Sequence, residues 1–293
     1  MRVPLFALFI AFMLIATASA FGQAAQGGQG QRGQRGRPPA RPVPRQADGR
    51  VSLGPLPGEV GVWLPGAGGA ERLVEFDSSD PLGSQFPIAP AARFPGKLNV
   101  RDVPFQPWAK ELFAYRRQNQ LEPHTRCKPS GGPRQFLTPY GVEFVTNEAD
   151  KRIFIFDIGG PHTFRTIFMD GQPHPKTLIP SYYGHSTGRW EGDMLIVDTV
   201  GFNESFWIDR YGFPSTEKLH LIERFTRTDS NTIKYEVTVD DPGAYTAPWT
   251  SGFYLFWDSG VELFEYICQE NNFAGNLMVG AQESIDRTSQ TVP

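Results

Sequence analysis

Residues 232–240 alternate strictly between apolar and polar. Ile233, Tyr235, Val237 and Val239 share one face, and Lys234, Glu236, Thr238 and Asp240 share the other. That pattern predicts a strand with one buried and one wet side. Similar short runs recur from Tyr140 onward: Val142–Thr146, Arg152–Ile158, Phe164–Met169, Met194–Val200, Leu219–Arg227, Gly252–Trp257 and Val261–Cys268. Turn-forming stretches such as Asn147-Glu148-Ala149-Asp150, Asp229-Ser230-Asn231 and Asp258-Ser259-Gly260 separate them. The spacing predicts an antiparallel meander. About eight such strands close most simply into a β-barrel, which removes exposed edges and is either filled by side chains or holds one small ligand. The expected class is therefore mainly β, with a two-sheet β-sandwich as the alternative.

One segment carries a helical period. Pro107 suits a first helical position, and Trp108, Leu112 and Tyr115 recur at i, i+4 and i+7, predicting a helix over 107–120 with those three residues as its apolar stripe. Residues 51–104 are broken by Pro and Gly and read as a loop-rich N-terminal wrap, with Val62–Leu64 and Arg72–Phe76 as short strands. The barrel-like domain is expected over 105–293.

The N-terminal end follows a different rule. Arg2, the apolar run Val3–Ile15 and Ala18-Ser19-Ala20 together have the form of an export signal over residues 1–20. Residues 21–50 are rich in Gln, Gly, Arg and Pro and are expected to stay disordered, since almost nothing there can be buried. Their six arginines against Asp48 give +5, and with Arg2 this leaves the remainder at −9 although the whole chain is only −3. An acidic domain argues against nucleic-acid binding, which needs a basic face. The basic tail reads as a solvated spacer, or as a weak contact for anionic envelope components. No later segment is long and apolar enough to span a membrane as a helix. Cys127 and Cys268 are the only cysteines. In the oxidising compartment that an export signal implies, periplasm or exterior, an even count suggests a disulfide; two separate buried thiols are the alternative.

No HExxH, GxxxxGK[ST] or helix-opening GxGxxG occurs, so standard zincin and nucleotide-binding readings have no support. The five histidines, His124, His162, His174, His185 and His220, lie on different loops without tight metal-ligand spacing, so no metal is expected unless the fold gathers them; the cofactor is left open. His185, after the aromatic loop Ser181-Tyr182-Tyr183-Gly184, is the candidate acid or base. Asp198 is its candidate carboxylate. It interrupts an apolar strand and so is expected to point into the barrel, whereas Glu191 and Asp193 flank Gly192 as turn formers. By period 2, His220, Ile222 and Arg224 share a face opposite Leu221, Glu223 and Phe225. An inward Arg224 beside His220 could hold the anionic group of an otherwise apolar ligand; an ion pair on a solvated sheet face is the alternative. Tyr183, Trp190 and Trp257 are candidate stacking residues, aromatic rings being more often simply core.

The run Gly184-His185-Ser186-Thr187-Gly188-Arg189-Trp190-Glu191-Gly192-Asp193-Met194-Leu195-Ile196-Val197, with Glu223-Arg224-Phe225, Asp240-Asp241-Pro242, Pro248-Trp249 and Cys268-Gln269-Glu270-Asn271-Asn272, resembles a widespread group of exported, β-rich proteins of environmental bacteria. The resemblance spans roughly residues 105–275. It implies export, one β-rich domain and pairing of the two cysteines; it implies no reaction. The Trp-Glu-Gly-Asp-x-Leu-x-Val pattern is also locally similar to turns of lipocalin-like barrels. The functional expectation is a barrel that binds a small, largely apolar or aromatic molecule. The alternatives are a hydrolase or lyase using His185 with a carboxylate, and an envelope-interaction protein acting through its basic tail.

Overall fold

The computed structural model describes residues 39–55, 58–66, 71–77, 79–80, 94–119, 122–158 and 163–268. Nine strands close into one barrel: β1 (Gly61–Pro65), β2 (Val142–Asn147), β3 (Arg152–Asp157), β4 (Phe164–Phe168), β5 (His185–Glu191), β6 (Met194–Val200), β7 (His220–Asp229), β8 (Thr232–Asp240) and β9 (Trp249–Ser259). Sequence neighbours pair throughout, and β9 returns to β1 over five residue pairs, Gly61↔Ser259 to Pro65↔Leu255. The fold is mainly β and barrel-closed, as the alternation predicts.

The meander departs from expectation at one seam. Strands β4 and β5 are parallel, in register at Ile167↔Ser186 and Phe168↔Thr187. A parallel neighbour cannot be reached through a hairpin, so residues 169–184 form a long crossover that carries His174 and Tyr183. Strand β5 itself lies where a loop is expected around His185. The predicted strand over 261–268 is absent, because both edges of β9 are already taken by β8 and β1. Strand β1 comes from the expected wrap. Gly61 is required there: a Cβ would lie 2.4 Å from the Trp257 ring and 2.7 Å from the Asp258 carbonyl. Of Arg72–Phe76, only Glu75 makes a β-bridge, to Asn99.

The single α-helix among the described residues, α1 (Pro107–Asn119), starts at the predicted residue but has a different buried face. Ala109 and Phe113 are inside, while Trp108 and Tyr115 are exposed. The choice is made by an aromatic nest: Phe113 lies 5.2 Å from Phe105 and 4.8 Å from Phe213. Residues 39–50, expected to be disordered, run along the barrel. Ser230 and Arg41 exchange hydrogen bonds, Pro44 is buried, and Arg45 and Arg50 pair with Asp193 and Glu148. Basic arginines meeting the turns of an acidic domain account for the order, and they leave Arg45 and Arg50 engaged with the barrel. The export-signal residues 1–20, the tail residues 21–38 and His162 lie outside the described residues.

Inward positions fill the barrel. Phe136 follows a 3-10 turn, Gly132–Gln135, and enters the interior between Tyr235 (4.9 Å), Phe225 (5.6 Å) and Phe144 (6.4 Å). Tyr235 in turn packs 4.7 Å from Phe253. Within this apolar filling lies one charged pair, Arg165 with Glu223, at 1% and 0% side-chain exposure.

A second buried polar group carries opposing proton linkages. Burial, with the Arg134 charge second, pushes the His124 imidazole down to about 4 from 6.5. Burial also pushes the Asp209 carboxyl up to about 7 from 3.8, although the Tyr211 and Phe213 amides donate to it. His124 therefore costs stability as pH falls from 6.5 towards 4, whereas the Asp209 contribution is complete below 3.8 and is lost as pH rises towards 7. Each is on the order of 3–4 kcal/mol, and between pH 4 and 6.5 they offset one another. Asp209→Asn should steepen acid destabilisation in that window, and His124→Gln should reverse its slope. Urea midpoints measured across pH test this; three parallel profiles would refute it.

Candidate functional site

The candidates do not meet inside the barrel. On β6, Leu195, Val197 and Thr199 point inward and are fully buried, so Asp198 points out and is 30% exposed. The inward expectation for Asp198 is thus corrected. Ile196, on the outer face, is also covered, so both faces of β6 read apolar and the run hides its alternation. His220, Ile222 and Arg224 do share a face of β7, as period 2 predicts, but it is the outer one. Their neighbours Leu221, Glu223 and Phe225 are the inward, buried set.

On this outer wall four side chains form a chain of contacts. His220 Nε2 lies 2.8 Å from Asp198 Oδ1, and His174 Nε2 lies 3.1 Å from the same oxygen. His174 Nδ1 then lies 2.8 Å from His185 Nδ1. The sheet positions three of them. Asp198 is opposite Ile222 on β7 and Thr187 on β5, and His185 is two residues from Thr187 on the same face. The fourth, His174, is delivered by the crossover. Gly184 sets the entry into β5 at φ 63°, where a Cβ would lie 2.6 Å from the Val200 carbonyl. His185 also stacks on Phe168, with ring centroids 4.8 Å apart and planes 12° apart.

No family model, no curated protein and no solved structure matches this chain. The chemistry must be read from the cluster itself.

An ionised carboxylate can only accept hydrogen bonds, so both Nε2 atoms that contact Asp198 Oδ1 carry hydrogens. In its neutral form His174 then has a bare Nδ1, and His185 must donate its Nδ1–H to it. Two nitrogens are left as acceptors, His185 Nε2 and His220 Nδ1, and neither has a hydrogen-bond partner among the described residues. Burial, and then the neighbouring His174, hold the His185 pKa below 6.5, with Asp170 opposing. His185 is thus a neutral imidazole at neutral pH. The side chains of His174, Asp198 and His220 are 23%, 30% and 36% exposed, enough to meet a solute. Among the described residues no group of three or more His, Cys, Asp or Glu is arranged to hold a metal ion.

The other candidates lie apart. Arg224 is four residues from His220 along β7, and its Nη1 donates to Thr238 Oγ1 at 3.2 Å. Tyr183, near the end of the crossover, has its hydroxyl bonded to Thr163 and, at 3.2 Å, to Asp157; burial and the Asp157 charge raise its pKa. Trp190 packs against the core beside a groove lined by Arg50, Lys151, Arg152 and Met169. Trp257 faces inward, edge-on to Trp63 at 5.2 Å. None of these three aromatic residues joins the histidine cluster. Cys127 and Cys268 are bonded, with Cα atoms 5.6 Å apart. His174 is the site residue that sequence reasoning missed. Its surroundings, Asp170-Gly171-Gln172-Pro173-His174-Pro175, read only as a turn, and the signal available was its place in the run of three histidines from 162 to 185.

Proposed function

We propose that this protein is an acid–base enzyme, a hydrolase or lyase, acting on a small molecule at the outer wall of the barrel. The observation that carries the reading is the shared acceptor: one oxygen of Asp198 orients two imidazoles, one of which orients a third. His185 Nε2 takes a proton from water or from the substrate. The charge formed is relieved along the chain, because the His185 Nδ1–H faces His174 Nδ1 and the His174 Nε2–H faces the carboxylate. The proton taken up on His185 Nε2 can then be returned from there to a leaving group, while His220, held by the same oxygen, presents its bare Nδ1 as a second acceptor to the substrate. Aligned acid–base groups of this kind contribute roughly 10²–10⁴-fold in rate.

The ligand-binding expectation moves with the site. Phe136, Phe225, Tyr235 and Phe253 occupy the barrel interior, so a small molecule is placed outside it, where Phe168 and Ile222 supply apolar surface. A periplasmic or extracellular setting is part of the proposal, and the Cys127–Cys268 bond supports it.

The test is turnover of a panel of activated esters and β-elimination substrates by the full chain and by folded His185→Asn and His220→Asn variants. Each variant is expected to lose about 10²–10⁴-fold in kcat/KM. The wild-type rate should rise with pH through a value below 6.5, following the depressed His185. Variants as active as the wild type, or no turnover across the panel, would remove the enzyme reading.

A further inference from the structure

We propose that the outer-wall site takes a monocarboxylate: Arg224 receives the carboxylate of a substrate whose reacting end lies at His220 and Asp198. This rests on the acid–base reading for the reaction, but not for the binding. The argument starts from register. Asp198 on β6 is directly opposite Ile222 on β7, and Ile222 is directly opposite Thr238 on β8. Arg224 begins two residues further along β7, yet its Nη1 reaches Thr238 Oγ1. The guanidinium therefore leans back into the row of Asp198. Two strand spacings separate that row's ends, so the cation stands about 10 Å from the carboxylate, with Ile222 as the floor between them.

Arg224 makes no ion pair among the described residues. Its cross-strand partner Glu236 is taken by Lys234 at 3.0 Å, and the nearby Arg189 is taken by Glu191 at 2.9 Å. No carboxylate among the described residues lies within ion-pair distance of Arg224, although the domain is acidic. A half-buried guanidinium with spare donors is a fork shaped for a carboxylate, and two parallel hydrogen bonds fix that group's plane as well as its place. An anion seated there lays its apolar body over Ile222 and directs its far end to His220. The predicted class is an aryl or short alkyl monocarboxylate with a span of about 5–10 Å between its anion and its reacting bond, set by one to two strand spacings.

The experiment uses 4-methylbenzoate and its neutral isostere 4-methylbenzamide, titrated into the full chain while the His220 and His185 ring resonances are followed by NMR. The benzoate is expected to shift both saturably, and the amide to bind at least about tenfold more weakly, as for loss of a charge-assisted hydrogen bond. Arg224→Gln should remove that difference, and Arg224→Lys should keep most of it. Equal affinity for the two probes, or a benzoate preference that survives Arg224→Gln, would overturn the proposal. Its failure is separable from that of the acid–base reading. His220→Asn should cut turnover by about 10²–10⁴-fold while leaving the Arg224-dependent preference in place. A preference without any histidine-dependent turnover would retain this inference and discard the enzyme.

Discussion

Replacing Glu223 with alanine is expected to lower the unfolding free energy by about 3–5 kcal/mol, the cost of leaving one partner of a buried ion pair alone. Arg165 is 1% exposed and all three of its nitrogens are engaged: Nε to Ser186 Oγ at 2.9 Å, Nη1 to Glu223 Oε1 at 3.0 Å, and Nη2 to Thr199 Oγ1 at 2.7 Å and to the second Glu223 oxygen. Tyr235 completes the group by donating to Glu223 Oε1 at 2.9 Å. Burial alone would lower the Arg165 pKa, and the Glu223 charge, its hydrogen bonds and the Tyr235 and Tyr183 hydroxyls together more than offset this. With Glu223 gone, a guanidinium stays in an aromatic interior with hydroxyls as its only partners. Glu223→Gln, which keeps the shape and one acceptor, should lose less. A double replacement, Arg165→Met with Glu223→Leu, should recover part of the loss, since apolar isosteres often match a buried pair. Urea unfolding measures all three. An alanine variant within about 1 kcal/mol of the wild type would show that the pair is solvated, as exposed pairs are.

The second large effect concerns the disulfide. Cys127 and Cys268 are 141 residues apart in sequence, and the loop between them contains eight of the nine strands. Closing a loop of that length constrains the unfolded chain by about 5 kcal/mol in the chain-entropy treatment. Cys127→Ser with Cys268→Ser should therefore destabilise the barrel by up to about that amount. A reducing agent should do the same to the wild type and nothing further to the double variant. Midpoints unchanged by reduction would contradict the assignment.

How much of this was legible in the chain can be judged strand by strand. β6 and β8 were readable at their true bounds. In β8 each alternate residue is apolar, so pattern and burial coincide. β5 was not readable, because Gly188 sits on its inner face. There a Cβ would lie 2.4 Å from the Met169 sulfur, and the missing side chain erases the alternation. The stripe on α1 was misread because Trp108 and Tyr115 are large and apolar, while the face that packs is chosen by Phe105 and Phe213, residues remote in sequence. For the site, His185, Asp198 and His220 were identifiable as candidates, and the shared face of His220 and Arg224 followed from period 2. That the face looks outward could not follow, since parity fixes which residues stand together but not which side the core takes. His174 depends on a parallel seam, and local sequence does not encode the register of a long crossover.

The central claim is a directed chain of hydrogen bonds, His185 to His174 to Asp198, with His220 on the same carboxylate. Nitrogen-15 NMR of the imidazole rings at neutral pH tests it most directly, because it reads which nitrogen of each ring carries the proton. The account predicts Nε2–H tautomers for His174 and His220 and an Nδ1–H tautomer with a bare Nε2 for His185. An Nε2–H tautomer at His185, or an Nδ1–H tautomer at His220, would contradict it.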